Sequence, residues 1–441
     1  MAIASTFLGG AKGRLLAASI PFRFFATAVL FQGLAWLALF WAAPLVPRFA
    51  GGLGWPLASL HLVTLGVLVM TAIGASLQLL PVATRQAVPA AKWPYDLVWS
   101  LYTAGVVGLT AGMASAVPTV LLGGTLAVAT ALLIYLFLLA RNLRSAKGMR
   151  LVIVHGWAAC WSLLVLLGTG MSLAGAYNGL VLLDRQTAIH LHVIFAGYGF
   201  MGMLIMGFSY ILVPMFALSD NPAPLWANLS IALAIVALAL ALLASFGMVP
   251  KYFFRLYVGV GALAFVIHVA LMVQAVRTGM RQGLGKSFVL VRLGWACLGA
   301  SFVAALAPEF QVLTVHEPTL FGVLLVGGLL TFLLGVLSRI VPFLASVHAG
   351  AGMRRPPTPS NLTAQRPLDI HFYSHVAALV MLLAAVLFDS VWLVRASAAL
   401  GVVGAAAFGV FFVAAWRRMM QVAPKIEAPA GPKAQDSRQI H

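Results

Sequence analysis

Residues 57–81 read LASLHLVTLGVLVMTAIGASLQLLP, a stretch without a single acidic residue, lysine or arginine. About 20 apolar residues are enough for a helix to cross the roughly 30 Å of hydrocarbon in a bilayer. Backbone amides cannot go unpaired in lipid, and the stretch does not alternate with period two. It therefore predicts a transmembrane helix rather than a barrel strand.

The rest of the chain repeats this pattern. Of 441 residues, 62% are hydrophobic and only 8% are charged, whereas soluble domains carry about 25% charged residues. The sequence therefore predicts an all-α polytopic membrane protein, in which residues 24–418 form one membrane domain. Its twelve predicted helices have the approximate bounds 24–46, 57–81, 95–116, 119–140, 151–175, 188–217, 225–247, 254–276, 287–307, 318–345, 371–392 and 395–416.

The basic residues lie mainly on one side of this predicted topology. The other side holds only five of the 27 Lys and Arg residues: Arg48, Arg185, Lys251, Arg255 and Arg395. Cytoplasmic loops carry the excess of Lys and Arg, so residues 1–23 and a disordered tail, 419–441, are both expected in the cytoplasm. We expect a bacterial inner-membrane protein whose net charge of +18 reflects topology. Its partner is then the lipid bilayer, not nucleic acid.

Three segments with the same Gly-to-Pro spacing lie at the ends of the second, sixth and tenth predicted helices. They predict three co-oriented four-helix repeats, about 24–145, 151–280 and 287–418, related by an axis along the membrane normal. The alternative is ordinary packing, with glycine for close approach and proline at a helix end. The segments are GASLQLLP (Gly74–Pro81), GFSYILVP (Gly207–Pro214) and GVLSRIVP (Gly335–Pro342).

Four histidines lie near the starts of the same three predicted helices and therefore share one predicted depth in the membrane. They are His61, His190, His192 and His316. Histidine is costly in hydrocarbon, and neutral imidazole is a common ligand of haem iron and copper. The set predicts a haem b site, with copper as the alternative metal, and no CxxCH motif is present for covalent attachment. His190 and His192 are about 200° apart on a helix and should point to opposite sides.

Five more histidines form a second predicted layer near the cytoplasmic side: His155, His268, His348, His371 and His375. His371 and His375 are spaced i, i+4, so they share a helix face and could hold a second metal. We favour the simpler interpretation that both are interfacial, because they stand beside the polar loop 346–370.

Twelve helices in three co-oriented groups, with histidines opening the second, sixth and tenth, resemble subunit I of the haem–copper oxidase and nitric oxide reductase superfamily. The resemblance covers residues 20–418. It implies that His61 and His316 ligate a low-spin haem and that His190 or His192 is an active-metal ligand. The chain departs from the family because residues 225–247 contain no histidine pair, and His316 is followed by Glu317 and Pro318 instead of a second histidine. Oxygen reduction is therefore not expected.

Within that superfamily, the segment Pro21-Phe22-Arg23-Phe24-Phe25, followed by His61, resembles the start of NnrS-type proteins. These are associated with haem, copper and nitric oxide metabolism. The resemblance implies a b-type haem protein in electron transfer or diatomic gas metabolism, with a donor cytochrome or another respiratory subunit as partner. Two ligand pairings remain open. In the first, His61 pairs with His316. In the second, His61 pairs with either His190 or His192, and His316 pairs with the remaining one of these two. The rival hypothesis is a cofactor-free permease or a copper or haem assembly factor.

Overall fold

The chain forms the expected helical membrane fold. The computed structural model describes residues 14–86, 91–250, 253–281, 283–310, 316–350, 353 and 356–422, which contain no strand. Twelve of their helices are long and apolar enough to span a membrane: α1 (Ser19–Leu45), α2 (Trp55–Thr84), α3 (Trp93–Ser115), α4 (Pro118–Arg144), α5 (Arg150–Ala176), α6 (Arg185–Ala217), α7 (Pro224–Ser245), α8 (Phe253–Thr278), α9 (Gly285–Leu306), α10 (Glu317–Ala349), α11 (Gln365–Leu387) and α12 (Val391–Val422).

The ends of the bundle differ from the predicted boundaries. The helix α1 begins at Ser19 instead of residue 24, and α12 continues to Val422, so the first residues of the predicted tail are helical. Residues 423–441 of that tail and residues 1–13 of the predicted N-terminal segment lie outside the described residues.

The two ends of the bundle carry different charge. The helix α4 ends at Arg144 and α5 begins at Arg150, on what we call the arginine-rich side. Consecutive spans alternate in direction, so α2, α6 and α10 all begin on the opposite, arginine-poor side. The three central histidine-bearing helices therefore run in the same direction.

The helices α2, α6 and α10 lie at the centre of the bundle. The hairpins α3–α4, α7–α8 and α11–α12 pack around them, and α12 closes the ring against α1. The helix α10 contacts segments of both α2 and α6. The most apolar stretch of α6 is 83% buried, against 33% for α7, so the chain surrounds α6 with protein and leaves α7 largely to lipid.

The glycines of the three Gly-to-Pro segments have the same structural role. A Cβ added to Gly74, Gly207 or Gly335 would lie 2.7, 2.7 and 2.6 Å from an atom of α1, α5 and α9, respectively. Each glycine therefore lets a central helix approach the helix that precedes it in the chain. The packing interpretation of these glycines is confirmed.

The prolines of the same segments do not end their helices, so the packing alternative is right for the glycines and wrong for the prolines. Pro81, Pro214 and Pro342 all lie inside helices, where proline removes only its own backbone N–H bond and bends the helix. The helices α2 and α6 end three residues after their prolines, and the next residues, Arg85 (φ 58°) and Leu218 (φ 55°), are left-handed. The threefold repeat itself stays a prediction.

Candidate functional site

The imidazoles of His61 on α2 and His192 on α6 face each other in the arginine-poor half of the bundle. Their ring centroids are 6.3 Å apart and their planes are inclined by 31°. Both side chains are part-exposed although both helices are central. Among the described residues, this is where two of the four predicted ligands come into ring contact.

Each of these two rings has one nitrogen held by the protein. The Nδ1–H of His61 donates to the Leu57 carbonyl oxygen at 2.9 Å, since a carbonyl can only accept. The Nδ1 atom of His192 lies 3.4 Å from the Thr169 hydroxyl oxygen. That hydroxyl already donates to backbone carbonyls one turn earlier on α5, so it accepts from His192.

The tautomer that results places the lone pair of each ring on Nε2. Histidines that bind metals characteristically donate their other ring N–H to a carbonyl or a similar group, which fixes both ring orientation and tautomer. His61 and His192 are held in this way.

Both helices widen into a π-helix next to these histidines. The π segments are Leu62–Val69 in α2 and Phe195–Met201 in α6. In the first, Tyr102 of α3 donates to the Leu65 carbonyl oxygen at 3.0 Å. π-Helical turns inside α-helices are rare and often occur at functional sites. Their presence beside His61 and His192 agrees with a site at this level.

Side chains at the same level are less completely buried than deeper in the bundle. The first turns of α2 and α6 mix exposed, part-exposed and buried residues, whereas the rest of both helices is mostly buried. In α10, four consecutive residues, Phe321–Leu324, are all part-exposed. Four consecutive residues cover every side of a helical turn, so no side of this turn of α10 is fully buried.

The other two predicted ligands have different partners. The Nε2 atom of His190 lies 2.6 Å from the Tyr257 hydroxyl of α8. The Nδ1–H of His316, the residue before α10, donates to the Pro47 carbonyl oxygen at 3.0 Å. The prediction that His190 and His192 point to opposite sides is confirmed. Of the two pairings from sequence, the contacts favour His61 with a histidine of α6 and bring neither His316 nor His190 to that pair.

His371 and His375 are buried inside the bundle, and their position at the membrane interface stays a prediction. Their exposed fractions are only 1% and 3%, because α11 begins at Gln365, six residues before the predicted start. The Nδ1–H of His371 donates to the Gly404 carbonyl oxygen, and His375 Nε2 lies 2.9 Å from the Thr331 hydroxyl. The two rings are 5.7 Å apart and nearly parallel.

Sequence reasoning gave no role to a second cluster in the arginine-rich half, where His155 of α5 and His268 of α8 both contact Tyr210 of α6. Its signal was present, because a histidine in the middle of an apolar run, such as His268, is itself a functional hint. Within the described ranges, no three His, Cys, Asp or Glu side chains group as a metal site.

Comparison with known protein families gives no match for this chain, and comparison with curated proteins gives none either.

Proposed function

We propose that this chain is a membrane-bound b-type haem protein in which His61 and His192 are the two axial ligands. The observation that carries the proposal is the facing pair of imidazoles, 6.3 Å apart. The Nδ1 of each ring is hydrogen-bonded to a protein oxygen, which leaves the lone pair of Nε2 available to bind a metal.

The separation of the rings suits a shared metal. A metal–imidazole bond is about 2 Å long, and a ring centre lies about 1 Å beyond its nitrogen, so two imidazoles that shared one metal would have centroids no more than about 6 Å apart. The observed distance agrees with that arrangement without movement of either helix.

The number of donors favours haem over a bare ion. A bare copper or zinc ion usually takes three or four protein ligands, and no third His, Cys, Asp or Glu joins the pair among the described residues. Haem iron needs only axial ligands from the protein, because the macrocycle supplies the others.

Two axial histidines favour electron transfer over gas binding. Haem would supply one-electron chemistry when bound, and His61 and His192 would both be occupied in holding it. In this arrangement Leu57 and Thr169 orient each imidazole and leave the lone pair on Nε2.

The charge distribution orients the protein. The arginine-rich side faces the cytoplasm of a bacterial cell by the positive-inside rule, so the histidine pair lies toward the periplasmic face. A donor cytochrome or another respiratory subunit would then exchange electrons with this site from that face. The resemblance to the haem–copper oxidase and nitric oxide reductase superfamily, with its NnrS-type branch, supports the same class of function.

An absorption spectrum of the purified protein tests the proposal. We expect a redox-sensitive Soret band that His61→Ala and His192→Ala abolish and that the matched controls His190→Ala and His316→Ala retain. Loss of the band in His61→Ala and His316→Ala but not in His192→Ala would instead support the pairing of α2 with α10. A colourless wild-type protein that transports a solute in vesicles would support the permease and end the haem proposal.

A further inference from the structure

One outward face of α12 forms a groove toward the arginine-rich end of the helix. Its lining residues lie between Ala406 and Gln421 and follow the spacing of three and four residues that keeps side chains on one helix face. All of them are exposed or part-exposed. The groove has a volume of about 670 Å³, which is within the range of about 300–1,000 Å³ that is usual for ligand sites. We call this feature the α12 groove.

The deeper part of the α12 groove is apolar, and its side chains are short. It is lined by Ala406, Gly409 and Ala414, and the bulkiest apolar side chains there are valines. The outward face of α4 instead carries large side chains, such as Leu133 and Phe137, which are 50% and 65% exposed. The short side chains of α12 therefore leave space along the helix that the side chains of α4 fill.

The end of the α12 groove nearest the arginine-rich side is basic. Arg417 and Arg418 line this end. The Nη1 atom of Arg418 donates to the Thr363 carbonyl oxygen at 2.8 Å, which holds the guanidinium beside the groove. Arg417 is exposed and has no hydrogen bond or ion pair to another described residue. No described residue that lines the groove is acidic, so an anion would compensate the two positive charges.

The length of the α12 groove matches one leaflet of a bilayer. Ala406 and Arg417 are 11 positions apart in the sequence, which is about 16 Å along the helix at about 1.5 Å per residue. Half of the roughly 30 Å of hydrocarbon in a bilayer is about 15 Å. A lipid headgroup at Arg417 would therefore place an acyl chain along the whole apolar part of the groove.

We propose that the α12 groove binds an anionic phospholipid, with its phosphate at Arg417 and Arg418 and one acyl chain along the short apolar side chains. Basic pockets beside transmembrane helices bind anionic headgroups, and guanidinium groups pair with phosphate through two parallel hydrogen bonds. A second copy of this chain fits the groove less well. A closed dimer about an axis along the membrane normal brings the same surface of both copies together, and it would place arginine against arginine.

Native mass spectrometry of the full-length protein in detergent tests the proposal. The probes are phosphatidylglycerol and phosphatidylethanolamine with identical acyl chains, at low ionic strength. We expect one phosphatidylglycerol per chain to bind more tightly than phosphatidylethanolamine does. Each basic residue near a membrane surface contributes about fivefold to the affinity for anionic lipid. The preference should therefore fall about fivefold in Arg417→Gln and about 25-fold in Arg417→Gln/Arg418→Gln.

A second variant changes the shape of the groove without changing its charge. Ala406→Leu should fill the apolar part and weaken phosphatidylglycerol binding about fourfold for each methylene group that the leucine displaces. Ala406 is exposed, so the melting temperature should stay that of the wild type. Inorganic phosphate at the arginines would not need the apolar part, so this variant distinguishes a lipid from a free anion.

The matched control is Arg141→Gln/Arg144→Gln, which removes two exposed arginines from the end of α4 on the same side. It should keep the preference for phosphatidylglycerol. The proposal is overturned if the two lipids bind equally, if the control loses as much preference as the α12 variants, or if the spectra show a dimer that Ala406→Leu dissociates. His61 and His192 lie in the other half of the bundle, so none of these results depends on haem binding.

Discussion

The hydroxyl of Thr169 should strengthen haem binding through His192, although it touches only the far side of that ring. Replacing Thr169 with valine keeps the shape of the side chain but removes the oxygen that lies 3.4 Å from His192 Nδ1. A buried N–H that loses its acceptor costs about 1–3 kcal/mol. Because 3.4 Å is a long hydrogen bond, we expect the lower part of this range, about 1–2 kcal/mol, or about a five- to thirtyfold loss of haem affinity.

Thr110 provides the matched control for this change. Its hydroxyl bonds the carbonyls three and four residues earlier on α3, which is also the pattern of Thr169 on α5, but no hydrogen bond joins it to a histidine. Haem transfer to excess apomyoglobin, followed at the Soret band, measures the loss. We expect faster transfer from Thr169→Val and wild-type transfer from Thr110→Val. Equal rates in both variants would refute the assigned role of Thr169.

Two further expectations concern packing and capping. Gly124→Leu should separate the α3–α4 hairpin and lower the melting temperature, because even a Cβ would lie 2.1 Å from the backbone nitrogen of Leu109 and overpacking costs about 1–3 kcal/mol or more. Gly123→Leu is the control, because a Cβ there meets nothing within 4 Å. Similar melting temperatures of the two variants would contradict this contact. Asp184 caps α6 through hydrogen bonds from Thr187 and Gln186, which lower the pKa of its carboxyl. The capping contribution is therefore present at neutral pH and should disappear as the pH falls below the usual range of an aspartate, as seen by lower protection of the first-turn amides of α6, measured against the intrinsic exchange rate at each pH. Asp184→Ala should show the same fast exchange at neutral pH and Asp184→Asn should not; a neutral-pH profile for Asp184→Ala like that of the wild type would exclude the cap.

The helices could be predicted because they follow from composition alone. A run of about 20 apolar residues has to pair its backbone amides internally in lipid, so all twelve spans were expected close to where they occur. Boundaries were predicted less well. The helix α11 begins at Gln365, and its polar first turns resembled a loop in sequence, which made His371 and His375 appear interfacial.

The histidine pair could be predicted only in part. Sequence placed His61, His192 and His316 at one depth, but depth along the membrane does not fix which helices are neighbours or how each is rotated. The π segments after His61 and His192 also change the direction in which the following side chains point, and no residue pattern predicted them. Only the contacts separated His192, which faces His61, from His316, which bonds Pro47.

The sequence by itself determined that the chain is a twelve-helix membrane protein with few ionisable groups in its spans. The reason is that hydrocarbon requires a long apolar run and internally paired backbone amides, and this requirement does not depend on which helices are neighbours. The tertiary structure decided which imidazoles face each other and which nitrogens remain without a partner. Those properties depend on side chains brought together from distant parts of the chain, as His155 and His268 are against Tyr210, and helix rotation and packing set them rather than hydropathy.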